Sequence, residues 1–220
     1  MRIAFVSSET LNRYVAQGRE EVADVTLFGF NGVGEVSYEK ELKGESRFFE
    51  EVATLSKRNK NVVVCGCITD TRGHKRKSVA VAENGRLLGV SDMLNAVDGE
   101  CSAGANLRIY ETKIGKMGVI VAGDLYFPET VKALSLCGSE FIVCPFEKTI
   151  TPLERSYLCV YAHTFALPIF VCGEGFSMII GADGELIFSS PLSPISAEYE
   201  RKKQYHLVET RCARKFFPRI

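Results

Sequence analysis

No apolar run in the sequence approaches the roughly 18 residues of a membrane span, so a helical membrane protein is not expected. Neither sign of charge is in excess. Lys+Arg and Asp+Glu number 27 each, which leaves no global field to favour nucleic acid or acidic lipid. A Gly-rich phosphate loop, a Ser-His-Asp spacing and a convincing metal-ligand cluster are all missing, so neither cofactor nor metal is expected. Internal repeats, low-complexity tracts and a polar linker long enough to divide domains are missing too. The opening Met1–Val6 goes straight into a strand pattern, and its apolar run is too short for a signal peptide. A soluble, cytoplasmic protein is the expectation.

What is present is apolar and strand-rich. Hydrophobic residues make up 46% of 220, enough for one domain over 1–220 with a sizeable core. Strand patterns fall near 2–7, 25–30, 61–67, 78–83, 86–91, 107–111, 117–122, 140–145, 168–173, 176–181, 185–190 and 205–210. Helical spacing is best at 46–59, 128–137 and 152–166, the last opening on Thr151 as a cap and Pro152 in the first turn. Asn84-Gly85 and Asp183-Gly184 are hairpin signals. Residues 191–202 read as a surface loop, and Arg72, His74, Lys75, Arg76 and Lys77 as a solvated basic turn. Hairpins mixed with strand–helix units predict an α/β protein with two mixed sheets flanked by helices.

Eight cysteines in this setting point to reduced thiols rather than a disulfide framework. Cys65, Cys67, Cys144 and Cys172 close strand-like runs, and such strand ends commonly gather around a ligand crevice. Each also reads as a small buried hydrophobe. The most specific stretch is Gly115 to Glu129. Val119, Ile120 and Val121 make a buried strand that breaks at Gly123-Asp124 and enters a helix at Pro128. Such a junction is a common mount for a nucleophile.

That stretch closely resembles the nucleophile junction of the nitrilase, or carbon-nitrogen hydrolase, superfamily. The likeness runs in order along the chain: Met1–Val6, Ala23–Phe30, Gly85–Gly89, 107–129, Cys137–Pro145, Gly184–Ile187 and Arg211–Pro218. The resemblance implies an α-β-β-α sandwich that pairs through its helical face as a homodimer. It also implies a glutamate base, a lysine that stabilises the tetrahedral intermediate, and a cysteine nucleophile. Carried over position by position, these fall on Phe30, Met93 and Ala122. All three are apolar, so the resemblance leads to a nitrilase-like pseudoenzyme with a small, closed crevice. The segment between Val6 and Ala23 is brief where the family has a longer first helix.

Three functions follow. The first is a non-catalytic scaffold, binding module or partner subunit; the second, an active amide or nitrile hydrolase or thiol enzyme using relocated residues. The third is a sensor that binds a small molecule without turnover. Residues that could line the crevice are Asp124, Glu129, Cys65, Cys144 and Cys172, with Glu35, Asp98, Glu100 and Glu174 weighed beside them. For Asp124 and Glu129 the favoured reading is structural: hydrogen bonds that fix the junction and charges placed at a helix N-terminus. His163 and His206 sit among apolar residues and read as core or edge positions.

Overall fold

Thirteen strands among the described residues divide between two sheets because nearly every strand is apolar on both faces. The computed structural model describes residues 1–18, 22–30, 32–96 and 99–201. The strands are β1 (Arg2–Val6), β2 (Val25–Phe28), β3 (Gly34–Ser37), β4 (Val62–Thr71), β5 (His74–Glu83), β6 (Arg86–Asp92) and β7 (Ile109–Thr112). They continue as β8 (Gly115–Val119), β9 (Phe141–Pro145), β10 (Ile169–Gly173), β11 (Phe176–Ile180), β12 (Leu186–Ser190) and β13 (Ile195–Glu198). The helices are α1 (Leu11–Ala16), α2 (Tyr38–Lys43), α3 (Phe48–Asn59), α4 (Pro128–Leu136) and α5 (Pro152–Phe165).

The first sheet has the order β13-β1-β2-β4-β5-β6, with β3 pairing the far end of β4. The second has the order β12-β11-β10-β9-β8-β7. Both are mixed: β1, β2 and β4 run parallel, as do β8, β9 and β10, while hairpins and the β1–β13 pair supply the antiparallel neighbours. Three apolar layers hold the sheets and helices together. Phe5, Leu27, Val64, Val79, Val119, Val143 and Phe170 meet between the two sheets. The opposite face of the first sheet packs on α1 and α3 through Val63, Cys65, Ala80, Leu11, Val52 and Leu55. The outer face of the second packs on α4 and α5 through Ile142, Ile169, Val131, Leu134, Leu158 and Tyr161. The architecture is the expected α-β-β-α sandwich.

Local chemistry explains most boundaries. Asn84 and Gly85 take φ of 51° and 81°, the left-handed pair that a tight β5–β6 hairpin requires. Thr151 caps α5 in a reciprocal box with Glu154: Thr151 Oγ1 accepts from the Glu154 amide, and Glu154 accepts from the Thr151 amide at 2.7 Å. Four readings need correction. The basic stretch is not a turn, because Arg72-Gly73 alone makes the bend and His74 to Lys77 are strand residues of β5. Residues 191–202 are not wholly loop, since β13 pairs antiparallel with β1 and inserts Ala197 into the inter-sheet core. The short β3, α1 and α2 were not anticipated. His163 is exposed rather than core, with Nδ1 at 3.0 Å from the Asp183 carbonyl. The strand expected at 205–210, with His206, lies outside the described residues, as does Asp98.

Candidate active site at the inter-sheet crevice

The junction after β8 is the site's anchor. Ile120 donates to the Val143 carbonyl at 3.0 Å, extending the β8–β9 pairing, and then the chain turns sharply. Ala122 has φ of 44°, a left-handed conformation that costs a non-glycine residue about 1–2 kcal/mol. A 3-10 turn over Ala122–Tyr126 follows, and α4 begins at Pro128. Asp124 fixes this bend. Its carboxylate accepts from the Leu94 amide at 2.9 Å, the Asn95 amide at 2.8 Å and Asn95 Nδ2 at 2.9 Å. Burial raises the Asp124 pKa above the usual carboxylate value, and those donors pull it back down without cancelling the shift. Asp124 therefore ties the junction to the segment that follows β6.

That tie positions Met93. Its amide donates to the Lys77 carbonyl at 2.8 Å, and its carbonyl accepts from Gly104 at 2.7 Å. Phe30 arrives from the other side, two residues beyond β2, with its amide on the Phe146 carbonyl at 3.3 Å. The backbone at Phe30 passes so close to β4 that a Cβ on Gly66 would come within 2.3 Å of Phe30 Cα. Glycine is required there. Phe30, Met93 and Ala122 are 2%, 1% and 0% exposed, and all three belong to the core between the sheets. The three positions singled out by resemblance are therefore all buried in the inter-sheet core.

The other candidates scatter. Cys172 faces the inter-sheet core, but Cys65 lies in the layer against α1 and α3, and Cys144 in the layer against α4 and α5. Burial pushes the Cys144 thiol up to about 12 and drives Cys65 and Cys172 well above the ordinary thiol value. These are protonated, unreactive thiols at neutral pH. Glu129 stands exposed in the first turn of α4. Glu35 is exposed on β3 and pairs with Lys75, and Glu100 is exposed as well. Glu174 is exposed but does line the crevice mouth.

At that mouth is a cavity of about 160 Å³, walled by the ends of β1 and β2 and the segments after β9 and β10. Phe30 forms part of its floor, and Ser7, Glu9, Glu147 and Glu174 are among its polar lining. Nearby, Lys77 Nζ pairs with Glu147 at 3.0 Å; the two side chains are 9% and 33% exposed. Sequence reasoning did not single out Ser7, Glu9 or Glu147, and took Lys77 for a turn residue. One signal was available for the first and third: both directly follow apolar strand runs, as the cysteines do.

The sequence profile of the carbon-nitrogen hydrolase family matches residues 21–194. A probable nitrilase of Schizosaccharomyces pombe is 29% identical over 129 residues, covering 50% of this chain and 46% of that one. A glutamine-dependent NAD(+) synthetase of Acinetobacter baylyi is 28% identical over 152 residues, covering 59% of this chain and 28% of that one. The chain thus spans less than half the length of both curated relatives. Among solved structures, a carbon-nitrogen hydrolase of Helicobacter pylori superimposes with a TM-score of 0.71 at 16% identity, over 89% of this chain and 86% of that one. Nit3 of Saccharomyces cerevisiae, a nitrilase-superfamily member, gives 0.71 at 14% identity, over 89% and 88%. At such identities the structures speak for the fold, while the family profile spans most of the chain. The chain belongs to the carbon-nitrogen hydrolase family.

Proposed function

We propose that this chain keeps the family's fold without its acyl-transfer chemistry and works as a scaffold, binding module or partner subunit. The observation that carries the reading is the burial of Phe30, Met93 and Ala122 in the same apolar inter-sheet layer. By resemblance these are the positions of base, cation and nucleophile. A phenyl ring, a thioether and a methyl group cannot take a proton, hold an oxyanion or carry an acyl group. Together they bury apolar area at about 25 cal/mol per Å², so they stabilise the crevice that they close.

The pairing implied by resemblance is part of the proposal. Leu153, Tyr157 and Val160 share one face of α5 at helical spacing and are exposed, with Leu136 of α4 and Tyr126 also exposed. A homodimer through this helical face would cover them, and a monomer at micromolar concentration in sedimentation would refute it. All seven cysteines among the described residues are free, which suits a reducing compartment, and a cytoplasmic location belongs to the same proposal. Among the described residues no helix is long and apolar enough to cross a membrane.

A relocated-enzyme reading has one observation in its favour: an amine and a carboxylate, Lys77 and Glu147, meet near a crevice whose core also holds Cys172. The names of the curated relatives, a probable nitrilase and a synthetase, lean the same way. Against it, Cys172 is fully buried and its thiol is pushed far up by desolvation. An iodoacetamide competition at neutral pH separates the readings. The non-catalytic one expects slow labelling at every buried thiol, whereas one cysteine labelled much faster than a free thiol supports the relocated enzyme.

A further inference from the structure

Equal totals of charge conceal a segregation along the chain. Residues 201–220 hold seven of the 27 basic residues and one of the 27 acidic ones, so they carry a net +6 and residues 1–200 a net −6. The chain enters that basic stretch from a face that is itself basic. At the end of the sandwich opposite the crevice, where β1, β2 and β4 begin, lies a recess of about 700 Å³. Arg2, Arg58, Lys60 and Lys113 line it, all exposed, against one carboxylate, Asp24. Asp24 accepts from the Arg2 amide at 2.8 Å, and Glu83 nearby accepts from the Lys113 amide at 3.0 Å. Arg2, Lys60 and Lys113 make no ion pair with a described carboxylate. Arg58 and Lys60 answer the C-terminal dipole of α3, but Arg2 on β1 and Lys113 beyond β7 belong to no helix, so the dipole does not account for them. Arg201 joins the two observations. It pairs with Glu140 at 2.7 Å and donates to the carbonyl of Ile114, next to Lys113, at 2.6 Å. Covalent reach alone keeps Lys202 and Lys203 within about 7 Å of Arg201.

We infer that this face binds single-stranded nucleic acid, with phosphates against Arg2, Lys60 and Lys113 and the basic stretch from Arg201 onward extending the contact. Solvated, unpaired cations are the groups that neutralise phosphates, because each one displaces condensed counterions. A strand follows a recess that a flat bilayer would bridge, and Tyr205, Phe216 and Phe217 add rings on which bases stack. The surface lies away from the crevice, and the inference holds whether or not the chain turns over a substrate. Its test is fluorescence anisotropy of a fluorescein-labelled oligo(dT) of about 20 nucleotides, titrated with the whole chain at about 50 and 200 mM salt. Saturable binding is expected at the lower salt, about 50-fold weaker at the higher for roughly four phosphates neutralised. Lys60→Gln with Lys113→Gln should weaken it about tenfold and cut the salt effect to about sevenfold. Arg214→Gln with Lys215→Gln should also weaken it, with every described residue unaltered, whereas Lys132→Gln on α4 should leave it unchanged. No saturable binding, an affinity insensitive to salt, both double variants unchanged, or an equal loss in Lys132→Gln overturns the inference. So does binding confined to vesicles of phosphatidylserine and phosphatidylcholine, which would assign the face to acidic lipid.

Discussion

Replacing Met93 by lysine restores the residue type expected by resemblance and measures how dry the crevice is. Met93 is 1% exposed among Phe30, Val79, Val119 and Ala122 in the inter-sheet layer. A lysine stem fills similar space, so the cost is chiefly that of an ammonium without solvent. Full burial lowers a lysine pKa by about 3–5 units, and each unit is 1.36 kcal/mol. Once the folded-state lysine gives up its proton the cost stops growing, so the variant should lose about 4–5 kcal/mol at pH 7, a large part of the roughly 5–15 kcal/mol that holds a domain folded. The sign with pH follows from linkage. The lysine's folded pKa lies below its unfolded value near 10.4, so the unfolded state binds more protons between the two. Stability must then rise with pH through that window. Urea titrations followed by circular dichroism from pH 7 to 10 read both quantities. A Met93→Lys protein as stable as the parent at pH 7, with a flat pH profile, would mean that the position is hydrated or already faces a carboxylate, and the dry-crevice argument would fail.

Asp124→Ala strips the acceptor from two backbone amides at Leu94 and Asn95, and about 2–4 kcal/mol of stability should go with it, read as a lower urea midpoint. The Lys77–Glu147 pair should respond unequally. Glu147→Gln leaves a buried ammonium without this carboxylate and should cost about 2–3 kcal/mol, whereas Lys77→Met leaves a carboxylate that water can reach and should cost about 1 kcal/mol. Equal losses in denaturation would contradict that asymmetry. Cys67 and Cys144 are held near 12 in the folded protein by burial, against 9.0 for a free thiol. The unfolded chain loses those protons first, so their contribution to stability is intact below pH 9 and is lost as pH climbs towards 12. The fall in urea midpoint over that range should be smaller in Cys67→Ala and Cys144→Ala than in the parent.

The strands and hairpins were legible where local chemistry is decisive. Asn84-Gly85 dictates its turn, Thr151 its cap, and Pro128 the start of α4. What escaped is short and held by neighbours. β13, Ile195–Glu198, gains its place from pairing with β1 and from burying Ala197, neither visible in a Pro- and Ser-rich stretch. The six-residue α1 and α2 are below the length at which periodicity can speak. For the site, Cys144 and Cys172 do lie near the ends of β9 and β10, but β4 runs past Cys65 and Cys67 to Thr71, and the facing of these strands was not legible. β4, β9 and β10 are buried on both faces, so an unbroken apolar run carries no alternation to tell Cys172, which points between the sheets, from Cys65 and Cys144, which point away. Lys77 escaped for a related reason. In a run of basic residues, nothing local marks the one that a two-residue turn draws into the fold.

The most direct test of the central claim pairs turnover with mass. Purified protein at high concentration is incubated with small amides and nitriles, ammonia is assayed, and the intact mass is recorded after quenching in acid. With phenylalanine, methionine and alanine at the crevice, neither ammonia above the protein-free control nor an acyl adduct is expected. Ammonia that scales with protein concentration, together with an acyl mass increment on a single cysteine, would contradict the account.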